Sequence, residues 1–255
     1  MLVTVIGKGI ALRVWDVHPG YLSRTRLLGE HREIHAVWTV LVDDRKGYSN
    51  HPETNRWRGH LSYLYQRHEK TVAEMRLRGY THASPLENPG GRGGYPGFVH
   101  APHEQFALLR DRYNPDEAGR IPLPHRACEF WAHHKYSIMA RGYKGYRQIS
   151  RMSGHLGARS IAQAGEMLGE VCRILWIAPS DGSLMNAWQH VTGHFKRTVP
   201  VETRKRWLDL LPDGGEHLGR TIYRIAVERS EKYIQHSTIL SDGFQIMTPR
   251  NPRDG

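Results

Sequence analysis

After Ser23 the apolar residues Leu27, Leu28, Ile34, Val37, Trp38 and Leu41 recur at helical spacing, while Glu30, Arg32 and Glu33 occupy other parts of the same surface. The pattern predicts a long helix that ends at the polar run Asp43-Asp44-Arg45-Lys46-Gly47. A second stripe, Leu61, Leu64, Tyr65, His68, Val72 and Met75, predicts one helix from about residue 53 to 78, with Gly79 just beyond its end. A Gly- and Pro-rich loop runs from Ser84 through Pro96, and a third helix begins near Pro102 and passes Leu109. Further on, residues 130–142, 158–177, 183–197, 200–211 and 216–238 read as helical. The expected fold class is therefore all-α. The run PDEAGRIPLP at 115–124 reads as a linker, which divides the chain into a compact helical domain over 12–114 and a second helical bundle over 125–242. The stretch before the first helix mixes β-branched and aromatic residues and turns at His18-Pro19-Gly20. Residues 1–11 read either as a short strand or as upstream sequence that the mature protein lacks. The polar, Pro-rich tail after Gly243 reads as loose. No internal repeat emerges.

A chain of 255 residues suits two modest domains, and 39% hydrophobic residues suffice for their cores. With 24% charged residues the composition does not read as disordered. The formal net charge of +11 favours a polyanionic partner, since Lys and Arg displace counterions from phosphates. Two cysteines, Cys128 and Cys172, are too few for a disulfide scaffold or a Cys-rich metal site, and both are expected to be small buried hydrophobes. No stretch is apolar enough to span a membrane, and the opening MLVTVIGKGIAL lacks a signal-cleavage pattern, so a cytoplasmic location is expected.

Three motifs occur in order: RVWDVHPGYLSRTRLLGEHREIHAVW at 13–38, GYSNHPETNRWRGHLSYLYQRHEKTVAEMRLRGYTHASPL at 47–86, and PHEQFALLRDR at 102–112. Together they resemble the pyrimidine-dimer DNA glycosylase (endonuclease V) family over the first half of the chain. The resemblance implies an endonuclease V-like helical enzyme with neither metal nor cofactor, acting on cyclobutane pyrimidine dimers in duplex DNA. It implies a nucleophile at the mature N-terminal α-amine, which attacks C1′ and displaces the base. An imine follows, and β-elimination cuts the strand, so that glycosylase and apurinic/apyrimidinic lyase are one enzyme. The chemistry is reasonable on its own terms: an α-amine has a pKa of about 7.7–8.0 and is appreciably neutral near physiological pH. A neighbouring carboxylate stabilises the developing sugar cation and moves protons.

Carried over by residue, the family's essential glutamate falls on Glu33, and Glu30 matches a further acidic residue one turn earlier. Arg32 and Arg13 match DNA-contacting arginines, and His60 matches a histidine of the family's Gly-His pair. Arg110 or Arg112 matches another arginine, and both remain open. A further family arginine corresponds here to the neighbourhood of Ala36, where His35 is a partial substitute. The gapless register places the nucleophilic amine at Leu12, whose nitrogen is an internal amide in this sequence. Either translation starts at position 12, or residues 1–11 are real and the enzyme is altered, with Lys8 a remote alternative nucleophile. Arg24, Arg26, Arg45, Lys46, Arg56 and Arg58 would add phosphate contacts, which position DNA without reading sequence.

Each of these residues also has a plainer reading. Glu30 and Glu33 share a helix face, and such pairs are usually solvated. Arg32 alone reads as an ordinary surface charge. His18, His51, His100 and His103 form no HxxxH or HExxH unit, so structural roles are expected of them and no metal site. Trp15 and Tyr21 read as packing residues. The run ENPGGRGGYPG lacks the ending of a phosphate-binding loop and reads as a DNA-facing or interdomain loop, with Arg92 adding charge.

The second half contains FWAHHKYSIMARGYKGYRQISR at 130–151 and NAWQHVTGHFKR at 186–197, which resemble the uncharacterised YbgA-like helical domain. That resemblance implies an association with nucleic-acid or nucleobase metabolism and no mechanism. The candidate binding residues are His134, Lys135, Asn186, His190 and His194. The last three are spaced by four and share one helix face, which suits a phosphate, a base or a metal, or equally a helix junction or solvent. The function that results is a DNA-repair glycosylase and lyase with lesion-bearing duplex DNA as partner, no membrane, and a monomeric state left open. The alternatives are a non-catalytic nucleic-acid-binding protein and a glycosylase of shifted specificity.

Overall fold

Ser23 starts the first helix as expected: its backbone is extended and its side chain accepts a hydrogen bond from the Arg26 amide. This is α1, Arg24–Val42, in the computed structural model, which describes residues 12–91, 94–112, 117–211 and 215–242. The expected strand or upstream segment 1–11, with Lys8, and also Arg92 and the tail after Gly243 lie outside the described residues. The single helix expected over 53–78 is two, α2 (Pro52–Trp57) and α3 (Leu61–Leu77). Gly59 between them has φ of 75°, a left-handed conformation that ends one helix before the next begins. Gly79, at φ 85°, closes α3 as its position suggested. α4 is Pro102–Asp111.

The second half contributes α5 (Ala127–Met139), α6 (Tyr143–Leu156), α7 (Gly165–Ile174), α8 (Asp181–Gly193), α9 (Val201–Asp209), α10 (Gly215–Glu228), α11 (Lys232–Gln235) and α12 (Ile239–Asp242). The sequence reading had no helix at α6. Gly142, at φ 119°, breaks α5 from it, and the glycines around that break disguised the helix that follows. Only part of 158–177 is helical, as a short 3-10 turn at Ala162–Ala164 followed by α7. The fold is all-α, and among the described residues the only β pairing is an isolated bridge between Arg126 and Ser160. None of the described helices is long and apolar enough to cross a membrane.

Three apolar clusters hold the molecule. One contains Leu12, Val14, Ile34, Val37, Trp57 and Leu64, all from the first half. A second gathers Trp188, Phe195, Trp207, Leu218 and Ile222 of the second half, with Leu77 of α3 inserted. The third spans both: Trp15, Tyr21, Leu27 and Phe106 pack with Ile121, Phe130, Ile149 and Leu168. The proposed units 12–114 and 125–242 thus share buried ground. Trp15 and Tyr21 are packing residues, as read. Of the cysteines, Cys172 is buried, and burial pushes its thiol up to about 12. Cys128 is exposed on α5, against expectation.

The segment expected to be a linker is part of this packing. Ile121 is fully buried, and its amide donates to the Gly20 carbonyl at 2.9 Å. A Cβ placed on Gly119 would lie 2.6 Å from the carbonyl carbon and oxygen of Tyr21. Backbone cannot yield as a side-chain tip does, so Gly119→Ala is expected to destabilise by about 1–3 kcal/mol. Thermal melting checks this, and an unchanged midpoint would mean that the segment is a loose tether after all.

A buried polar joint reinforces the apolar contact. Glu74 of α3 binds Arg78 at 2.7 Å, Arg120 through both oxygens at 2.9 Å, and the Ser241 hydroxyl at 2.8 Å. Beside it, buried Asp242 lies 3.5 Å from His18, 3.7 Å from Arg141 and 3.9 Å from Lys70. Lys70 donates to the Leu175 carbonyl at 2.6 Å, and burial pushes its amine down to about 7. Residues from α3, the 119–124 segment and α12 therefore form one charge-compensated layer.

Candidate active site

The segment after Leu12 lies along α1, and two carboxylates hold it there. The Arg13 amide donates to Glu33 Oε2 at 3.2 Å, and the Trp15 amide donates to Glu30 Oε1 at 2.8 Å. Glu30 and Glu33 are one helical turn apart, so they meet alternate residues of an extended segment. Their environments then diverge. Glu30 is fully buried, and Arg67 grips both its oxygens at 2.7 and 2.9 Å. Its hydrogen bonds are spent on structure. Glu33 is half-buried, and burial, assisted by the charges of Glu30 and Glu53, pushes its carboxyl up to about 7 against the pull of the Arg13 amide and guanidinium. A carboxyl that titrates near neutrality is present in both forms there, as proton transfer requires.

Around this carboxyl the cations sort themselves. The Arg13 guanidinium lies 5.0 Å over the Trp15 ring, with Nη1 3.2 Å from His100 Nδ1. Burial lowers its pKa, and so does the charge of Arg112. Arg112 is exposed and close enough to act on Arg13, whereas the Arg110 guanidinium donates to the Pro124 carbonyl. Arg32 is exposed on α1. His60 stands at the start of α3 and donates from Nδ1 to the Gly94 carbonyl at 2.7 Å. Arg56 does not join the phosphate-facing set: its side chain is buried in ion pairs with Asp16 and Glu53. The Leu12 side chain packs in the Ile34 and Trp57 cluster, so only its main-chain nitrogen has chemistry to offer.

The Gly-rich run is anchored at Tyr95, whose ring stacks on Trp176 at 4.7 Å and whose hydroxyl accepts from Arg56 at 3.0 Å. Through Tyr95 the run thus touches the second half of the chain. His18 accepts the Gly20 amide at 3.0 Å, and His51 caps α2 by accepting the Glu53 amide at 3.1 Å, so both have structural roles. Sequence reasoning passed over a different set, His31, His35, His68 and His82, whose ring nitrogens converge. The HxxxH pair His31 and His35 was the available signal.

In the second half, His134 is buried, and its Nε2 lies 3.1 Å from the Tyr21 hydroxyl, inside the shared core and away from any surface. Lys135 and His190 lie close enough to His194 to lower its pKa after burial has done so. His194 follows α8, hydrogen-bonds the Tyr136 hydroxyl and lies 5.2 Å from the Tyr233 ring. Asn186 and His190 are exposed on α8. The structure thus gathers Lys135, His190 and His194, and leaves His134 out.

Residues 12–88 match the family described as pyrimidine dimer DNA glycosylase, and residues 135–242 match a protein family of unknown function (DUF1722). These are the two families of the expected fusion, the second being the YbgA-like one. The first match begins at Leu12 and includes Arg13, Arg32, Glu33 and His60; Arg110 and Arg112 lie beyond it. A pyrimidine dimer glycosylase-like role is supported at the level of the family. No curated protein and no solved structure gives a significant match to the chain.

Proposed function

We propose that the chain is a DNA glycosylase and apurinic/apyrimidinic lyase acting at cyclobutane pyrimidine dimers, in cytoplasmic base-excision repair. The observation that carries this reading is the 3.2 Å hydrogen bond from the Arg13 amide to Glu33 Oε2. A chain initiated at position 12 bears its α-amine one residue from that contact. The amine nitrogen bonds to C1′ and the base leaves with the glycosidic electron pair, taking up a proton. Sugar-ring opening gives a protonated imine, and loss of a C2′ proton expels the 3′ phosphate. Glu33 faces the positive charge that develops and relays the protons. Arg13, Arg32, Arg112 and His60 hold the phosphate backbone, with Arg110 supporting the α4 end. Base removal from a duplex needs access to C1′, and a dimer-weakened stack supplies it. The second unit, with Lys135, Asn186, His190 and His194, extends the DNA contact.

Borohydride trapping on an abasic duplex tests the mechanism. A chain beginning with Met at position 12 is expected to give a covalent adduct on its α-amine by mass spectrometry. The 255-residue chain has an amide at Leu12, and its expected result is no adduct there. If the shortened chain binds duplex DNA and forms no adduct while a control lyase does, the lyase mechanism falls and a non-catalytic DNA-binding protein or a lyase-independent hydrolase is left.

A further inference from the structure

Four histidines meet on the side of α1 turned away from Glu33. His31 and His35 come from α1, His68 from α3, and His82 from the segment after α3. One ring nitrogen of each lies within 4.8 Å of all the others, and Nε2 of His31 and Nε2 of His82 are 3.1 Å apart. Ring centroids are 4.7 Å apart for His31 and His35, 5.1 Å for His31 and His68, and 5.0 Å for His35 and His68. We propose that His31, His35, His68 and His82 bind one zinc-class divalent cation in a closed, all-imidazole tetrahedral site.

The distances suit such an ion. Zinc–nitrogen bonds of about 2.0–2.1 Å put the four nitrogens roughly 3.4 Å from one another. The pair at 3.1 Å is already near that value, and modest ring rotations bring in the others. The outer partners are in place too. His68 is fully buried, and its Nδ1 donates to Glu69 Oε1 at 2.9 Å, which leaves Nε2 as the lone-pair nitrogen. A carboxylate behind a metal-ligating histidine has this arrangement. The backbone of Ser84 is a hydrogen-bond partner of both His35 and His82. What then needs explaining is the other ring nitrogen of His68 and of His35. Nε2 of His68 and Nε2 of His35 are both buried and have no hydrogen-bond partner among the described residues. Buried polar atoms are nearly always satisfied, so two orphaned imidazole nitrogens on the rings of one four-histidine cluster point to a ligand.

The donor set selects the ion. Imidazole suits zinc, copper, iron and nickel, whereas calcium and magnesium require oxygen ligands. Four protein ligands close a tetrahedron and leave no position for water or substrate, which marks a structural site. Its effect follows from what it joins. The ion would fasten α1 to α3 and to the stretch that leads through the Gly-rich loop to Tyr95 and His100. His31 and His35 each lie two residues from Glu33, so they face the opposite side of the helix. The site therefore stands or falls independently of the glycosylase reading.

The test uses the untagged full chain expressed with zinc supplied. One zinc per chain is expected by elemental analysis. Cobalt in its place is expected to give the intense visible bands of a tetrahedral site. Chelation is expected to lower the melting temperature by about 5–10 °C, with zinc restoring it. His82→Ala, a change in a loop, is expected to abolish stoichiometric zinc and the chelator response while helical circular dichroism persists; His35→Gln is a second variant with the same expectation should His82→Ala not fold. Substoichiometric zinc in the wild-type chain, together with a melting temperature indifferent to chelator, would overturn the proposal. Tetrahedral cobalt bands that survive both substitutions would place the ion elsewhere and overturn it equally.

Discussion

In the chain initiated at position 12, Glu33→Gln is expected to leave the fold standing and to slow cleavage of a dimer-containing duplex by roughly 10²–10⁴-fold. The amide keeps an oxygen able to accept the Arg13 N–H, so the segment at 12–13 stays in register on α1. What is lost is the negative charge facing C1′ and the ability to take up a proton. Single-turnover cleavage measures the first effect, and thermal melting with duplex-binding titrations at fixed salt establishes that fold and binding persist. A variant that cuts at the wild-type rate would remove Glu33 from the chemistry. A variant that also loses DNA binding would recast it as a structural partner of the N-terminal segment, much as Glu30 is.

Glu74→Gln has the largest expected effect on stability. Glu74 is completely buried between Arg78 and Arg120 and also accepts from Ser241. Removing one partner of a buried ion pair leaves charge uncompensated and typically costs about 3–5 kcal/mol. At this chain length such a loss lowers the melting temperature by roughly 10 °C. The dependence on pH has a definite sign. Burial alone would raise the carboxyl, but Arg120 and Arg78 outweigh it and hold Glu74 well below the ordinary glutamate value of 4.5. A depressed folded-state pKa contributes stability that is complete above the unfolded value and is lost as pH falls toward the folded one. The wild-type advantage over Glu74→Gln should therefore be constant near neutrality and narrow once pH drops below about 4.5. Urea unfolding at several pH values measures it. A gap that does not change with pH would mean that the lost interaction is not ionic.

How much of this was legible in the chain differs by residue. α1 was, because its apolar period, its Ser23 cap and its polar terminus are all local signals. So was the place of Glu33 in an ordered set of motifs. The break between α2 and α3 was not, because a glycine inside an apolar stripe is compatible with continuing the helix or ending it. The 119–124 segment looked like a tether because Pro and Gly mark turns, and burial of Ile121 depends on Gly20 and Tyr21, about a hundred residues earlier. The metal-ligand histidines were hidden for the same reason: His31 and His35 are spaced as a pair, but His68 and His82 join them only when α3 and the following segment fold back.

The sequence by itself determined an all-α chain that matches two different families in its two halves, the register of its first helix, and the place of Glu33 within the first of those matches. The tertiary structure alone decided which charges are spent and which remain. Glu30 and Glu33 share a helix face, yet Arg67, 37 residues from Glu30, consumes one and leaves the other to burial. Arg56 is neutralised by Asp16, and Arg110 is tied to Pro124, while Arg32 and Arg112 stay exposed. Local periodicity tells which face of a helix a side chain occupies. What waits opposite that face is set by contacts distant in sequence, and those contacts fix solvation and charge, on which chemistry depends.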